Sequence, residues 1–235
     1  MPDSPATSPS TAAEAPPQSG GRKRSMPASR LRDRLREKIM AGDLVPNQRL
    51  VEADISEEYG SSRGNVRIAL ADLTAEGLVE KVANRGARVR AVSLDEAIEI
   101  TEVRGALESL CARRAAERVG PDQVEQLRDI GRRMTAAVDG GDREAYSGCN
   151  RELHTLVIEI SGQRTAAETI RRLRGQAVRY QYRIAQQSGR PAESLPQHLA
   201  IIESVCAKDP DAAAAAMQAH ISSVARSIKA IEAAK

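Results

Sequence analysis

Tyr59-Gly60-Ser61-Ser62-Arg63-Gly64-Asn65-Val66-Arg67-Ile68-Ala69-Leu70-Ala71-Asp72-Leu73-Thr74-Ala75-Glu76-Gly77-Leu78-Val79 decides how this 235-residue chain is read. A glycine turn is followed by Ser62 at a helix N-cap position, where its hydroxyl can take a free backbone N–H. Val66, Ala69, Leu70 and Leu73 then recur at helical spacing, and Gly77 closes the helix. One side of the helix is apolar, while its first turns carry Ser62, Arg63, Asn65 and Arg67. Arg and Asn are the side chains that match guanine and adenine edges in the major groove. A polar, basic first turn on an otherwise buried helix is how a helix-turn-helix presents its recognition helix. An ordinary surface helix with solvated arginines remains the plainer alternative.

Working outward, Leu31, Leu35, Ile39 and Met40 share the face of a helix from Ala28 that Gly42 ends, and Val51 to Tyr59 reads as a second helix. After the third helix, 79–82 and 87–92 alternate as two strands around Asn84-Arg85-Gly86, a hairpin with Arg85 and Gly86 at its tip. Three helices and a basic-tipped hairpin make a winged helix-turn-helix over 28–92, with Arg85 beside the minor groove or backbone. Residues 1–27, rich in Pro, Ser, Ala and Thr, are expected to be a disordered tail.

Charge follows the same division. Residues 21–92 hold 15 Lys/Arg against 10 Asp/Glu, whereas 93–235 hold 20 of each. The positive excess therefore sits with the reader, as a phosphate-binding surface requires. With 2% aromatics and neither Trp nor Phe, the core must be aliphatic, which favours helices. Three widely spaced cysteines form no disulfide framework, and no apolar run approaches the ~20 residues of a membrane span, so a soluble cytoplasmic protein is expected.

From Ser93 onward every segment reads as helix. Ser93-Leu94-Asp95-Glu96 is a capping-box pattern, and helices are expected to about 119, then over 121–138, 142–161, 164–188, 193–207 and 210–232. The fold class is thus mostly α: an N-terminal winged helix-turn-helix and, over 93–235, a C-terminal all-helical antiparallel bundle. All three histidines, His154, His198 and His220, lie in the bundle, with Asn150 one turn before His154. Imidazoles from separate helices can close on a divalent cation with an Asx oxygen as fourth ligand. Spacing alone leaves them equally readable as core or surface histidines.

The motifs carry a resemblance. Gly42-Asp43-Leu44-Val45-Pro46-Asn47-Gln48-Arg49-Leu50, the helix from Ser61 to Leu70, Glu76-Gly77-Leu78-Val79 and Asn84-Arg85-Gly86-Ala87 resemble the GntR family of bacterial transcriptional regulators. Where that family usually has Val-Ser-Arg-Thr-Pro-Val-Arg-Glu-Ala-Leu, this chain keeps Arg63 and Arg67 but has Gly64-Asn65 and Ile68, so no operator sequence is carried over. The resemblance implies a DNA surface comprising Arg49, Ser62, Arg63, Asn65, Arg67, Arg85 and Gly86. Val103-Arg104-Gly105-Ala106-Leu107-Glu108, Asn150 with His154, Gln197-His198-Leu199 and Lys208 through His220 resemble the FCD effector domain of FadR-type members. That likeness implies a metal held by Asn150, His154, His198 and His220; zinc suits the set, with nickel or manganese as alternatives.

Four neutral ligands leave a dication its full charge, so a small carboxylate, assisted by Arg104, is the expected effector. The resemblance further implies a homodimer on palindromic double-stranded DNA, with repression relieved by the effector, and no membrane partner. Rival readings are a metal-free acyl-CoA or lipid-like effector, an architectural DNA protein and a metal-dependent hydrolase. Against the last, the chain has no HExxH and is not expected to be an enzyme.

Overall fold

The computed structural model describes residues 25–82 and 86–233, without the side chains of 178, 179, 181, 182 and 232. Of the tail expected over residues 1–27, residues 1–24 lie outside the described residues, as does Arg85 at the wing tip. Residues 25–27 pack onto the reader instead of trailing from it. The Ser62 N–H donates to Ser25 Oγ (2.8 Å), and the Met26 carbonyl accepts from Ser61 Oγ and Asn65 Nδ2.

The reader is α1 (Ala28–Ala41), β1 (Arg49–Leu50), α2 (Glu52–Tyr59), α3 (Arg63–Ala75), β2 (Val79–Val82) and β3 (Gly86–Val89). Ser62 caps α3 by accepting from the Asn65 N–H, and the left-handed Gly77 (φ 75°) turns the chain into β2. Leu31, Leu35, Ile39, Ile55, Val66, Leu70 and Leu73 bury the inner helix faces against Leu78, Val79 and Val89. The sheet order is β1-β3-β2, both pairings antiparallel, with Val79 opposite Val89 and Arg49 opposite Arg88. The hairpin is shorter than expected, since β3 ends at Val89, and the two-residue β1 is too short to leave a period in the sequence.

The bundle comprises α4 (Leu94–Arg118), α5 (Pro121–Asp139), α6 (Arg143–Ser161), α7 (Arg164–Gln176), α8 (Val178–Ala185), α9 (Arg190–Cys206) and α10 (Pro210–Ala233). Ala112, Ala115 and Ala116 of α4 allow close helix approach. Leu127, Ile130, Met134, Leu153, Val157, Ile201 and Met217 complete an aliphatic core. Burying each large side chain is worth about 1.5–3 kcal/mol. Ser93 caps α4 through the Glu96 N–H, but the Glu96 side chain pairs with Arg90, so only half of a capping box forms.

Two bundle boundaries differ from expectation. The helix expected over 164–188 breaks at Ala177, because the end of α7 is pressed against the reader: a side-chain carbon on Gly175 would overlap the Glu76 carbonyl oxygen. Arg190 and Pro191, expected to form a break, instead open α9, since proline is tolerated in a first helical turn. Among the described residues, no helix is long and apolar enough to cross a membrane.

Candidate functional site

On the DNA side, α3 presents Arg63, Gly64, Arg67 and Ile68 to solvent, with Ile68 55% exposed. Arg67 Nε donates to Glu52 Oε2 (2.8 Å), an exposed pair that contributes little and can exchange for a phosphate or base. Asn65 points elsewhere: its Nδ2 donates to the Met26 carbonyl (2.9 Å), tying the segment before α1 to the recognition helix. Arg49 is exposed on β1, and Gly86 (φ 83°) begins β3 beside it.

In the bundle, α6, α9 and α10 bring the three histidines together. Asn150 and His154, four residues apart, share the inner face of α6; His198 comes from α9 and His220 from α10. The rings lie 5.7 Å (154–198), 5.2 Å (154–220) and 4.3 Å (198–220) apart, and one nitrogen of each lies within 4.8 Å of the others. All three histidines are buried, so the cluster is placed to hold a metal ion.

Outer partners fix which nitrogen two of the rings offer. Ser194 Oγ donates to the Arg190 carbonyl (2.9 Å) and so accepts from the Tyr146 hydroxyl (2.7 Å). The Tyr146 oxygen then accepts from His198 Nδ1–H (2.9 Å), which leaves His198 Nε2 a bare lone pair, buried with no hydrogen bond. His220 Nδ1–H donates to Gln197 Oε1 (3.0 Å), which also accepts from Ser223. His154 Nδ1 lies 2.8 Å from Glu108 Oε2, close but off the line of a hydrogen bond. At His198 and His220 the Nδ1 is thus engaged and the Nε2 is left as the ligand nitrogen, as supporting partners do around metal-binding histidines.

Burial pushes all three imidazoles below the ordinary histidine range, His198 and His220 furthest, so they stay neutral and competent as ligands. Asn150 Oδ1 is a further buried acceptor without a partner. A neutral amide oxygen and three imidazole nitrogens fit a zinc-like dication.

Glu108, 1% exposed, organises the wall of the site. Its Oε1 accepts from Arg104 Nε (3.0 Å) and Nη2 (2.8 Å), and its Oε2 from Arg174 Nη2 (2.8 Å). Burial pushes its carboxyl up, but Arg104, then Arg174 and His154, outweigh that and hold it well below the usual carboxylate range. Arg104, expected to clamp an effector, does line the cavity, yet its Nε and Nη2 are occupied by Glu108.

The cavity is about 140 Å³ and is lined also by Asn150, Arg174, Arg190, Ser194 and the three histidines. Its wall sets Arg104, Arg174 and Arg190 against the buried carboxylate of Glu108 and the exposed one of Glu193, with the exposed Arg151 also in the lining. Sequence reading passed over Glu108, Arg174 and Arg190. The i,i+4 spacing of Arg104 and Glu108 is the one signal that pointed to a pair.

A winged helix-turn-helix joined to a helical bundle is the architecture of a DNA-binding regulator. Residues 27–89 match the family of bacterial regulatory proteins of the gntR family, and residues 99–223 match the FCD domain. The chain belongs to the GntR family of bacterial regulators that carry an FCD domain. It is 27% identical over 197 residues to the HTH-type transcriptional repressor RspR of Escherichia coli, covering 84% of this chain and 86% of that one. It is 28% identical over 200 residues to a probable D-xylose utilization operon transcriptional repressor of Paenarthrobacter nicotinovorans, covering 84% and 87%. In fold it is similar to McbR/YncC of E. coli, with a TM-score of 0.67 at 22% identity, over 84% of this chain and 96% of that one.

Proposed function

We propose that this regulator is a cytoplasmic, homodimeric repressor of palindromic operators whose DNA affinity falls when a small carboxylate binds at a metal site in the bundle. The observation that carries this reading is the convergence of three buried imidazoles and the unpartnered Asn150 Oδ1 on one cavity. Asn150, His154, His198 and His220 would hold the metal, zinc by donor preference and nickel or manganese by availability. The bound ion would supply a fixed positive charge that fastens one carboxylate of the effector.

Four guanidinium groups against the carboxylates of Glu108 and Glu193 already leave the wall electropositive, which favours an anionic ligand even before a metal is added. The cavity size supports the same choice: about 140 Å³ suits a benzene-sized molecule and not an acyl chain. A hydrolase is disfavoured because both Glu108 oxygens are occupied and its carboxyl is held well below the range useful to a general base.

Linkage requires an element that both sites bias. The last turn of α7 supplies one, with Arg174 on Glu108 at the cavity and Gly175 against Glu76 at the end of α3. An anion that draws Arg174 away from Glu108 would shift this turn and the seat of the recognition helix with it.

The test is to select operator fragments from genomic DNA, then titrate the zinc-loaded protein onto them with and without a panel of small carboxylates. Loss of operator affinity with particular acids is expected. Specific operator binding indifferent to every acid would overturn the effector reading, and sequence-independent binding would overturn the regulator reading.

A further inference from the structure

Arg190 is the buried guanidinium of the cavity wall that Glu108 does not hold; Arg151, also in the lining, is exposed. It stands in the first turn of α9, just after the left-handed Gly189 (φ 78°), and is 6% exposed. Its Nη2 donates to Ser223 Oγ (2.9 Å). Its Nη1 is buried with no hydrogen bond, lying 3.0 Å from Glu193 Oε1 but out of line with it. The Glu193 side chain is 60% exposed, so water screens it and it compensates the buried cation poorly. A guanidinium carries five donors in a fixed fork, and leaving part of the fork unmatched in a buried wall is unfavourable unless an acceptor comes to it.

Two hydrogen-bond chains tie this residue to the histidine cluster. One runs from Nη2 through Ser223 and Gln197 to His220; the other runs from the Arg190 carbonyl through Ser194 and Tyr146 to His198. Arg190, His198 and His220 are therefore parts of one network, and all three line one small cavity with His154.

We infer that Arg190 is a second anion subsite, so that the effector is a short acid with two negative ends, such as a dicarboxylate. One end lies toward the histidine cluster and the other in the guanidinium fork. This rests on the carboxylate-effector reading above and adds to it the class of acid. The planar fork suits a carboxylate held by two parallel contacts.

The test is calorimetric titration of the zinc-loaded full-length protein with malonate, succinate and glutarate, and with acetate, propionate and butyrate. The wild type should bind at least one diacid on the order of tenfold or more tighter than the monoacids, the gain of one charge-assisted pair. Arg190→Met should abolish that preference, the diacids falling to the affinity of the monoacids, and Arg190→Lys should keep only part of it. Arg190→Lys, which retains the buried charge but not the fork, keeps the test decisive if Arg190→Met fails to fold. Monoacids and diacids bound equally by the wild type, or a preference that survives undiminished in Arg190→Met or Arg190→Lys, would overturn the inference and leave the carboxylate reading standing. Binding of no acid at all would overturn both.

Discussion

The carbonyl oxygen of Glu76 lies so close to Gly175 that any side chain there would overlap it. Glu76 is the C-cap of the recognition helix, and its own carboxylate is gripped from α1 by Arg36 through Nε (2.9 Å) and Nη2 (2.5 Å). A helical glycine costs about 1 kcal/mol relative to alanine, and the close docking of bundle on reader is the physical reason for it here.

Gly175→Ala should therefore destabilise the protein by about 1–3 kcal/mol, overpacking outweighing the better helix former. Gly148 of α6, where an added carbon meets only the Arg151 guanidinium at 4.0 Å, is the control. Gly148→Ala should instead stabilise, by up to about 1 kcal/mol. Thermal denaturation of the two variants checks the signs. Operator binding by Gly175→Ala should also respond less to effector, because the contact that links the two sites is displaced.

Replacing Glu108 by Gln keeps the shape of the wall but leaves Arg104 and Arg174 without their buried counter-charge. Breaking a buried pair in this way costs about 3–5 kcal/mol. Metal affinity should also drop by about 10–100-fold, as when a supporting partner of a ligand histidine is removed. Denaturant unfolding and competition with a metal chelator read the two effects separately.

The metal-free protein should be acid-sensitive in a defined window. Each buried histidine has a folded pKa below its ordinary value of 6.5, so the unfolded chain takes up protons first as pH falls. The stability this contributes is complete above about 6.5 and is lost progressively below it. Glu108, also depressed, adds a second loss below its ordinary 4.5. Melting temperatures of chelator-treated protein should hold steady from about pH 8 to 7 and then decline; with zinc bound they should start higher and decline at least as steeply, because ligated imidazoles take up no protons. A melting temperature that rises on acidification would contradict the account.

On the reader, Arg63→Ala and Arg67→Ala should each weaken specific operator binding by about 1–3 kcal/mol, the worth of a base-edge contact. Ile68 offers an exposed apolar branch suited to a thymine methyl, so Ile68→Ser should lower sequence discrimination more than total affinity. Binding-site selection with each variant distinguishes the two outcomes.

Much of the fold was legible because each reader element carries its own signal: Leu31, Leu35 and Ile39 at helical spacing, Ser62 as a cap, Gly77 as a stop. The break at Ala177 was not, since it is enforced by Glu76, a hundred residues away in sequence, and not by any local breaker. At the site, the histidine set stood out as a rare residue type matched to a family pattern. The roles of Glu108, Arg174 and Arg190 did not, because a charged residue on an amphipathic helix reads as solvated until tertiary packing buries it. Asn65 shows the converse: a side chain suited to adenine by type is drawn to the Met26 carbonyl by a segment that composition described only as tail.

The most direct test is metal content per protomer in protein purified without chelator, wild type beside His198→Ala and Asn150→Ala. The account predicts about one zinc-like ion per wild-type protomer, for a single closed ligand set, and a clear loss in both variants with helical content unchanged by circular dichroism. Metal absent from the wild type even after dialysis against zinc, or retained undiminished in His198→Ala, would contradict it.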